Sequence, residues 1–438
     1  MKNAFLQFLS LILCLTLLPY AYAEDMLLAA PKYPQMAPYP SLVQSLTAPD
    51  DAYDAWRESI NTQNRDSRYT NGLQPFLTES TRLILSGCNG TNRVYSPLSL
   101  YMALAMLAET TGGGTCAELL TLLGHEDVFQ LRQQASDLWN ANYRDDGAMT
   151  RTLATSLWLN ETVSFRQTTV QTLADSYYAS AYRGKMGSAA LNTALQTWLN
   201  DNTLGLLTEQ AQSIQLPPDT AAAIAATVAL SAKWDKCFYE DRTSADVFHS
   251  PRGDITCDFM HRSGNDYIYW GERFTAACLP FDMSGEMWFI LPDKGVTTDD
   301  LLADAEIQTL LSGSGKPANS RYVELHMSVP KFDISSQLEL SDSLRALGVT
   351  EVFDAATADF TPLTESRLPI SLSQVRHDAR VTIDEDGCTA AAYTVMLLVG
   401  AAPPQDREVI DFTLDKPFLF VITGANDLPL FVGVVNLP

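Results

Sequence analysis

Hydrophobic residues change their period about half-way along this 438-residue chain. Phe76, Leu77, Ser80 and Ile84 recur at helical spacing, and Gly87 follows where a C-cap would end the helix. Ser96-Pro97 offers a capping hydroxyl and then a proline at the first helical position, which predicts a second helix through Met102 and Leu104–Met106 as far as Gly112–Gly114. Thr115-Cys116-Ala117-Glu118 has the form of a capping box and predicts a third, through Leu119, Leu120, Leu122 and Leu123. Later the period shortens. Val323, Leu325, Met327 and Val329 alternate with Glu324, His326 and Ser328, a strand with one buried face that Pro330 ends. Similar signals mark Cys278–Phe281, Trp288–Leu291, Val375–Ile383 and Phe418–Ile422. Helices early and strands late, with no βαβ rhythm, no repeat and no second core, predict one large α+β domain.

The ends and the composition narrow the function. Lys2, the apolar run Ala4–Leu18 and Ala21-Tyr22-Ala23 predict a signal peptide over residues 1–23, hence a secreted, extracellular chain starting at Glu24. An uncleaved membrane anchor is the alternative, and the apolar run is short for it. Residues 24–70 form a leader that is Ala- and Pro-rich up to about Asp51 and reads as extended or mobile; the main domain occupies residues 71–438. The chain carries a net charge of −23, which disfavours nucleic acid and heparin-type polyanions as partners. Cys88, Cys116, Cys237, Cys257, Cys278 and Cys388 contain no Cys-x-x-Cys pair and are expected as reduced, mostly buried thiols. The five histidines are too dispersed for a zinc site, and no cofactor is implied. With no Gly-x-Ser-x-Gly elbow and no phosphate loop, an enzyme is disfavoured.

One segment stands apart. From Cys388 to Ala402 the chain has neither a charge nor a proline, between the acidic turn Asp384-Glu385-Asp386-Gly387 and Pro403-Pro404. As a single buried strand it is too long. As an exposed loop it is an aggregation hazard, unless its uncharged character is needed. A loop that must later become a central strand has that need, because alternate side chains enter a core and each N–H joins a ladder.

The run Thr382-Ile383-Asp384-Glu385-Asp386-Gly387-Cys388-Thr389-Ala390-Ala391-Ala392 resembles the hinge of the serpin family. Asn92–Ser99, Thr203-x-Gly205, Ala232-Lys233-Trp234, Val329–Phe332, Ala358-Asp359-Phe360, Lys416-Pro417-Phe418 and Pro429–Asn436 continue the resemblance in order from about Gly72 to Pro438. The pattern resembles that of inhibitory serpins and is similar to bacterial ones. The resemblance implies eight or nine helices, three β-sheets and a reactive-centre loop at about 385–408, offered as bait to a serine protease. It also implies a monomer that traps its target as an acyl-enzyme while the cut loop inserts into the central sheet.

Residue by residue, the resemblance assigns the hinge to Glu385, Gly387, Cys388, Thr389, Ala390, Ala391 and Ala392. Counting on from Glu385 places the reactive bond at Ala401–Ala402, counting back from Phe412 places it up to two or three residues later, Gly400 is a further candidate, and Pro403 is unsuited to follow a cut. A small bait residue implies an elastase-like or subtilisin-like target with a small apolar primary pocket. Ser96, Ser99, Gln196 and His377 are assigned to the polar shutter beneath the sheet, and Trp234 to the breach, although Ser96 also reads as a cap and Trp234 as core. Cys388 stands where the family usually has Thr or Ser, either as a benign substitution or as a thiol whose oxidation blocks entry. A non-inhibitory serpin serving as a carrier is the alternative function; it is expected to carry charge or proline in the hinge, and Gly387–Ala392 carries neither.

Overall fold

The computed structural model describes residues 25–40, 49–63, 67–88, 90–365, 369–388 and 408–438. The first helical signals resolve into α2 (Gln74–Leu85), after the leader helix α1 (Pro49–Gln63), and α3 (Pro97–Thr110). α3 begins as its sequence predicts, with Ser96 Oγ accepting from Ser99 N and Pro97 in the first turn. It is apolar nearly all round and lies in the core, where no polar face is required. The capping box at Thr115 does not form. α4 (Gly113–Leu123) has Gly112 at its N-cap and so starts three residues earlier, and Glu118 instead accepts from the backbone of Thr350 and Glu351. α5 (Val128–Asn142), α6 (Gln167–Ser176), α7 (Ala189–Asn202) and the one-turn α8 (Thr208–Gln212) follow.

The described residues form two sheets. The first runs β1 (Leu27–Ala29), β5 (Ala179–Gly184), β4 (Thr150–Asn160), β6 (Ala222–Lys233), β14 (Gly387–Cys388), β13 (Arg376–Ile383) and β12 (Phe332–Glu339), with β3 (Arg144–Asp145) paired to β4. The second runs β15 (Val409–Thr413), β11 (Asn319–Pro330), β8 (Gly253–Trp270), β9 (Phe274–Pro280), β10 (Glu286–Pro292), β16 (Phe418–Thr423), β17 (Pro429–Val435) and β2 (Arg93–Tyr95), with β7 (Thr243–Ser250) on β8. The third expected sheet is continuous with the second, because the 18-residue β8 pairs with β7 and β11 and then turns into β9. Among the described residues there are 11 α-helices, more than the eight or nine expected; they include the leader helix and four helices of five to seven residues.

Helices early and strands late is too simple, since β4, β5 and β6 interleave with α5 to α7. β4 is packed on both faces and shows no alternation, and β6 is rich in alanine, which favours helix when read locally. The described part of the leader packs on the domain. β1 pairs with β5 at the sheet edge, Tyr33 stacks on Trp139 and Tyr143 with centroids 5.2 and 5.3 Å apart, and Trp56 Nε1 donates to Asp146 at 2.9 Å. These contacts are long-range and leave no period in the sequence. Among the described residues the six cysteines form no disulfide; Cys88 and Cys388 are buried and the other four half-buried.

Candidate functional site

β6 and β13 are each long enough to pair along eight residues. Among the described residues they share no ladder of their own; they are joined through β14, whose two residues pair with both. Cys388 sits opposite Ala232 on one side and Ile383 on the other, with 3% of its surface exposed. Gly387 is demanded by close approach. A Cβ there would drive into the carbonyl oxygen of Ala232 and stand 2.9 Å from Lys233 Cα. Below β14 a narrow cleft, with a cavity volume of about 20 Å³, lies between the strands, lined by Thr227–Leu230 of β6, His377–Val381 of β13, and Ser96, Ser99, Thr203, Leu206 and Leu207.

The turn before β14 is pinned from every side. Asp384 Oδ1 accepts from the backbone of Asp386 and Gly387 at 3.0 and 3.1 Å, closing the turn on itself. Trp234 donates Nε1 to Asp384 O at 3.0 Å and its backbone N–H to Asp386 O at 3.1 Å, while its ring stacks on Phe281. Glu385 accepts from Lys331 Nζ at 2.8 Å and from Thr243 Oγ1 at 2.7 Å. Burial works against the Glu385 charge, but the Lys331 ammonium and the Thr243 hydroxyl outweigh it and hold the carboxyl below the ordinary Glu value.

Beneath the cleft, α3 touches both strands. Ser96 N donates to His377 Nε2 at 3.0 Å, and Ser99 Oγ donates to Ala226 O at 2.9 Å. Burial depresses the His377 imidazole to about 4, so it stands neutral with Nε2 as acceptor. The site thus consists of two strand edges facing each other, a two-residue strand seated between them at one end, and a helix bridging them from below. Among the described residues no group of His, Cys, Asp and Glu is placed to hold a metal.

Residues 76–438 match the family model of the serpins, serine protease inhibitors. The chain belongs to the serpin family. It is 26% identical to Serpin-ZX of Arabidopsis thaliana over 87% of this chain and 99% of that protein. Its fold matches the native state of the thermophilic serpin tengpin with a TM-score of 0.74 at 23% identity, over 86% of this chain and 95% of that one. Thyroxine-binding globulin in complex with thyroxine shares the fold at a TM-score of 0.72 and 19% identity, over 83% of this chain and 99% of that one. As a member of this family the serpin is of protease-inhibitor type and not an enzyme.

In this serpin the structure brings Ser96, Ser99 and His377 together and places Trp234, Glu385, Gly387 and Cys388 around the upper end of the cleft. It does not bring Gln196 there. Gln196 lies on α7, and its amide donates to the carbonyls of Ile214 and Gln212 at 3.0 and 3.5 Å. The place opposite Ser99 belongs to the backbone of Ala226, an alanine without chemistry of its own, which sequence reasoning passed over. Thr203, Arg376 and Arg380 were also missed; Thr203-x-Gly205 was legible only as a family element. Thr389, Ala390, Ala391, Ala392, Gly400, Ala401 and Ala402 lie outside the described residues, as does the segment 1–23.

Proposed function

We propose that the chain is a secreted, monomeric suicide inhibitor of serine proteases, most suited to elastase-like or subtilisin-like enzymes, acting by acyl-enzyme trapping and insertion of the cut loop. The observation that carries this reading is β14: the hinge has entered between β6 and β13 by two residues, and its register defines the rest of the path. Continuing that register, Ala390 would face Val381 and Leu230, Ala392 would face Ala379 and Val228, and Thr394 would face His377 and Ala226. Small residues thus meet the buried part of the seat first, and no charge has to be desolvated.

Insertion of about sixteen extended residues at about 3.3 Å each carries an attached protease roughly 50 Å. That is enough to pull an acylated serine out of its oxyanion hole, where loss of a single donor slows deacylation by roughly 100- to 1,000-fold. The bait is proposed at Ala401, or Gly400 beside it. The test is incubation with pancreatic elastase and with subtilisin. An SDS-stable complex, a released peptide starting at Ala402 or within a few residues of it, and a large rise in melting temperature of the cleaved serpin are expected. Clean turnover with no complex and no thermal gain would overturn the reading in favour of a carrier.

A further inference from the structure

The front of the first sheet carries a bond between its two halves that strand entry must break. α7 rests on β4 and β6, burying Leu191, Leu195, Trp198 and Leu199 against Ala154 and Trp158. The linker after it, residues 203–221, doubles back along the helix. Gln196 Nε2 holds Ile214 O at 3.0 Å, and Asn192 Oδ1 accepts from Leu216 N at 3.0 Å. Helix and linker are therefore one body seated on the β4–β6 half.

Two arginines of the β13 half reach across to this body. Arg380 Nη1 donates to Leu206 O at 3.0 Å, while Asp333 of β12 grips its Nε and Nη2 at 2.7 and 2.5 Å. Arg376 Nη2 donates to Ser213 Oγ at 2.9 Å and Gln210 O at 3.4 Å, and Asp378 holds its Nε at 2.8 Å. Leu206, Leu207 and Arg380 line the same cleft, so the Arg380–Leu206 bond spans it, and the Arg376 bonds join the same two bodies beside it. On the other side, Thr152 and Thr227 reach Asn202 O only at 3.4 and 3.5 Å.

We propose that Arg376 and Arg380 set the rate at which a strand enters this sheet, by clasping the linker of α7 to β13 across the seat the strand takes. The inference deepens the insertion reading and rests on it. Front-facing side chains of an entering strand need the volume beneath the linker, and the linker yields it only by leaving β13. Both bonds then break before the new strand supplies anything in return. Arg380 is suited to this because its planar fork binds Asp333 with two donors and leaves a third for the carbonyl; a lysine ammonium has no such geometry.

The test uses the full chain carrying Arg376→Gln and Arg380→Gln together, with Arg380→Lys alone as the conservative comparison. Quenched reactions with elastase should show SDS-stable complex forming about tenfold faster after cleavage in the double variant, equivalent to about 1.4 kcal/mol. The rate of first cleavage should be unchanged, and the Lys variant should lie between. In the uncleaved protein, hydrogen exchange in linker residues 203–214 should rise about tenfold while α7 itself is unaffected. Unchanged linker exchange, or exchange rising equally throughout α7, would overturn the clasp. If the wild-type serpin traps no protease, the function reading fails, while the exchange arm still decides the clasp.

Discussion

Replacing Gly387 by alanine probes the seat at its tightest point. The added methyl would collide with Ala232 O and stand 2.9 and 3.0 Å from Lys233 Cα and Ala232 C, all of them backbone atoms with no rotamer to change. Relief requires β14 to shift by about 1 Å, enough to stretch its ladder bonds beyond hydrogen-bonding range. Overpacking of this kind costs about 1–3 kcal/mol. If the cost falls on the seated hinge, each 1.4 kcal/mol slows insertion about tenfold, so trapping should be about 10- to 100-fold slower. Deacylation then overtakes insertion, and the protein becomes mainly a substrate. Gly264→Ala in β8 is the control, because nothing lies within 4 Å of its added Cβ. The assay is the moles of serpin consumed per mole of elastase inactivated, with the ratio of complex to cleaved serpin on SDS gels. Wild-type stoichiometry in Gly387→Ala, or an equal loss in Gly264→Ala, would refute the reasoning.

His377 should make stability depend on pH. Its folded value of about 4 lies below the ordinary 6.5, so its contribution is complete above pH 6.5 and is lost as pH falls through 4, by about 3 kcal/mol in all. The first unfolding transition in guanidinium, followed from pH 7 to 4, should be flatter for His377→Gln than for wild type by about that amount. Lys331→Met removes the half-exposed partner of Glu385. It should cost about 1 kcal/mol and hasten heat-induced loss of inhibition, read as residual activity after incubation. Trp56→Ala removes the indole that donates to Asp146 and lies over Arg144. A drop in melting temperature of a few degrees or less is expected, from about 1–2 kcal/mol, with trapping otherwise intact.

What could be read in advance follows from how locally each feature is encoded. β13 was legible because His377, Ala379, Val381 and Ile383 face the core while Asp378, Arg380 and Thr382 do not, and one exposed face writes its alternation into the sequence. β4 has no exposed face to write, and the alanines of β6 carry no β signal. Gly387 and Glu385 were found through a family pattern, but the reasons they are needed, the Ala232 carbonyl and the Lys331–Thr243 pair, come from segments more than 50 residues away. Gln196 was misplaced because a matching amide chemistry says nothing about which way a helix face points. The same non-locality hid the leader's docking, where Tyr33 meets the stacked rings of Trp139, Tyr143 and Tyr178.

The alanines of β6 carry a last implication. Ala222, Ala223, Ala225, Ala226, Ala229 and Ala232 give that strand a nearly smooth relief, with few knobs or hollows to recognise a particular neighbour. A surface so plain discriminates little among uncharged sequences laid beside it. If the cut loop inserts here as proposed, its bait residues could be rewritten to suit another enzyme without recutting the groove, by editing one short stretch of chain.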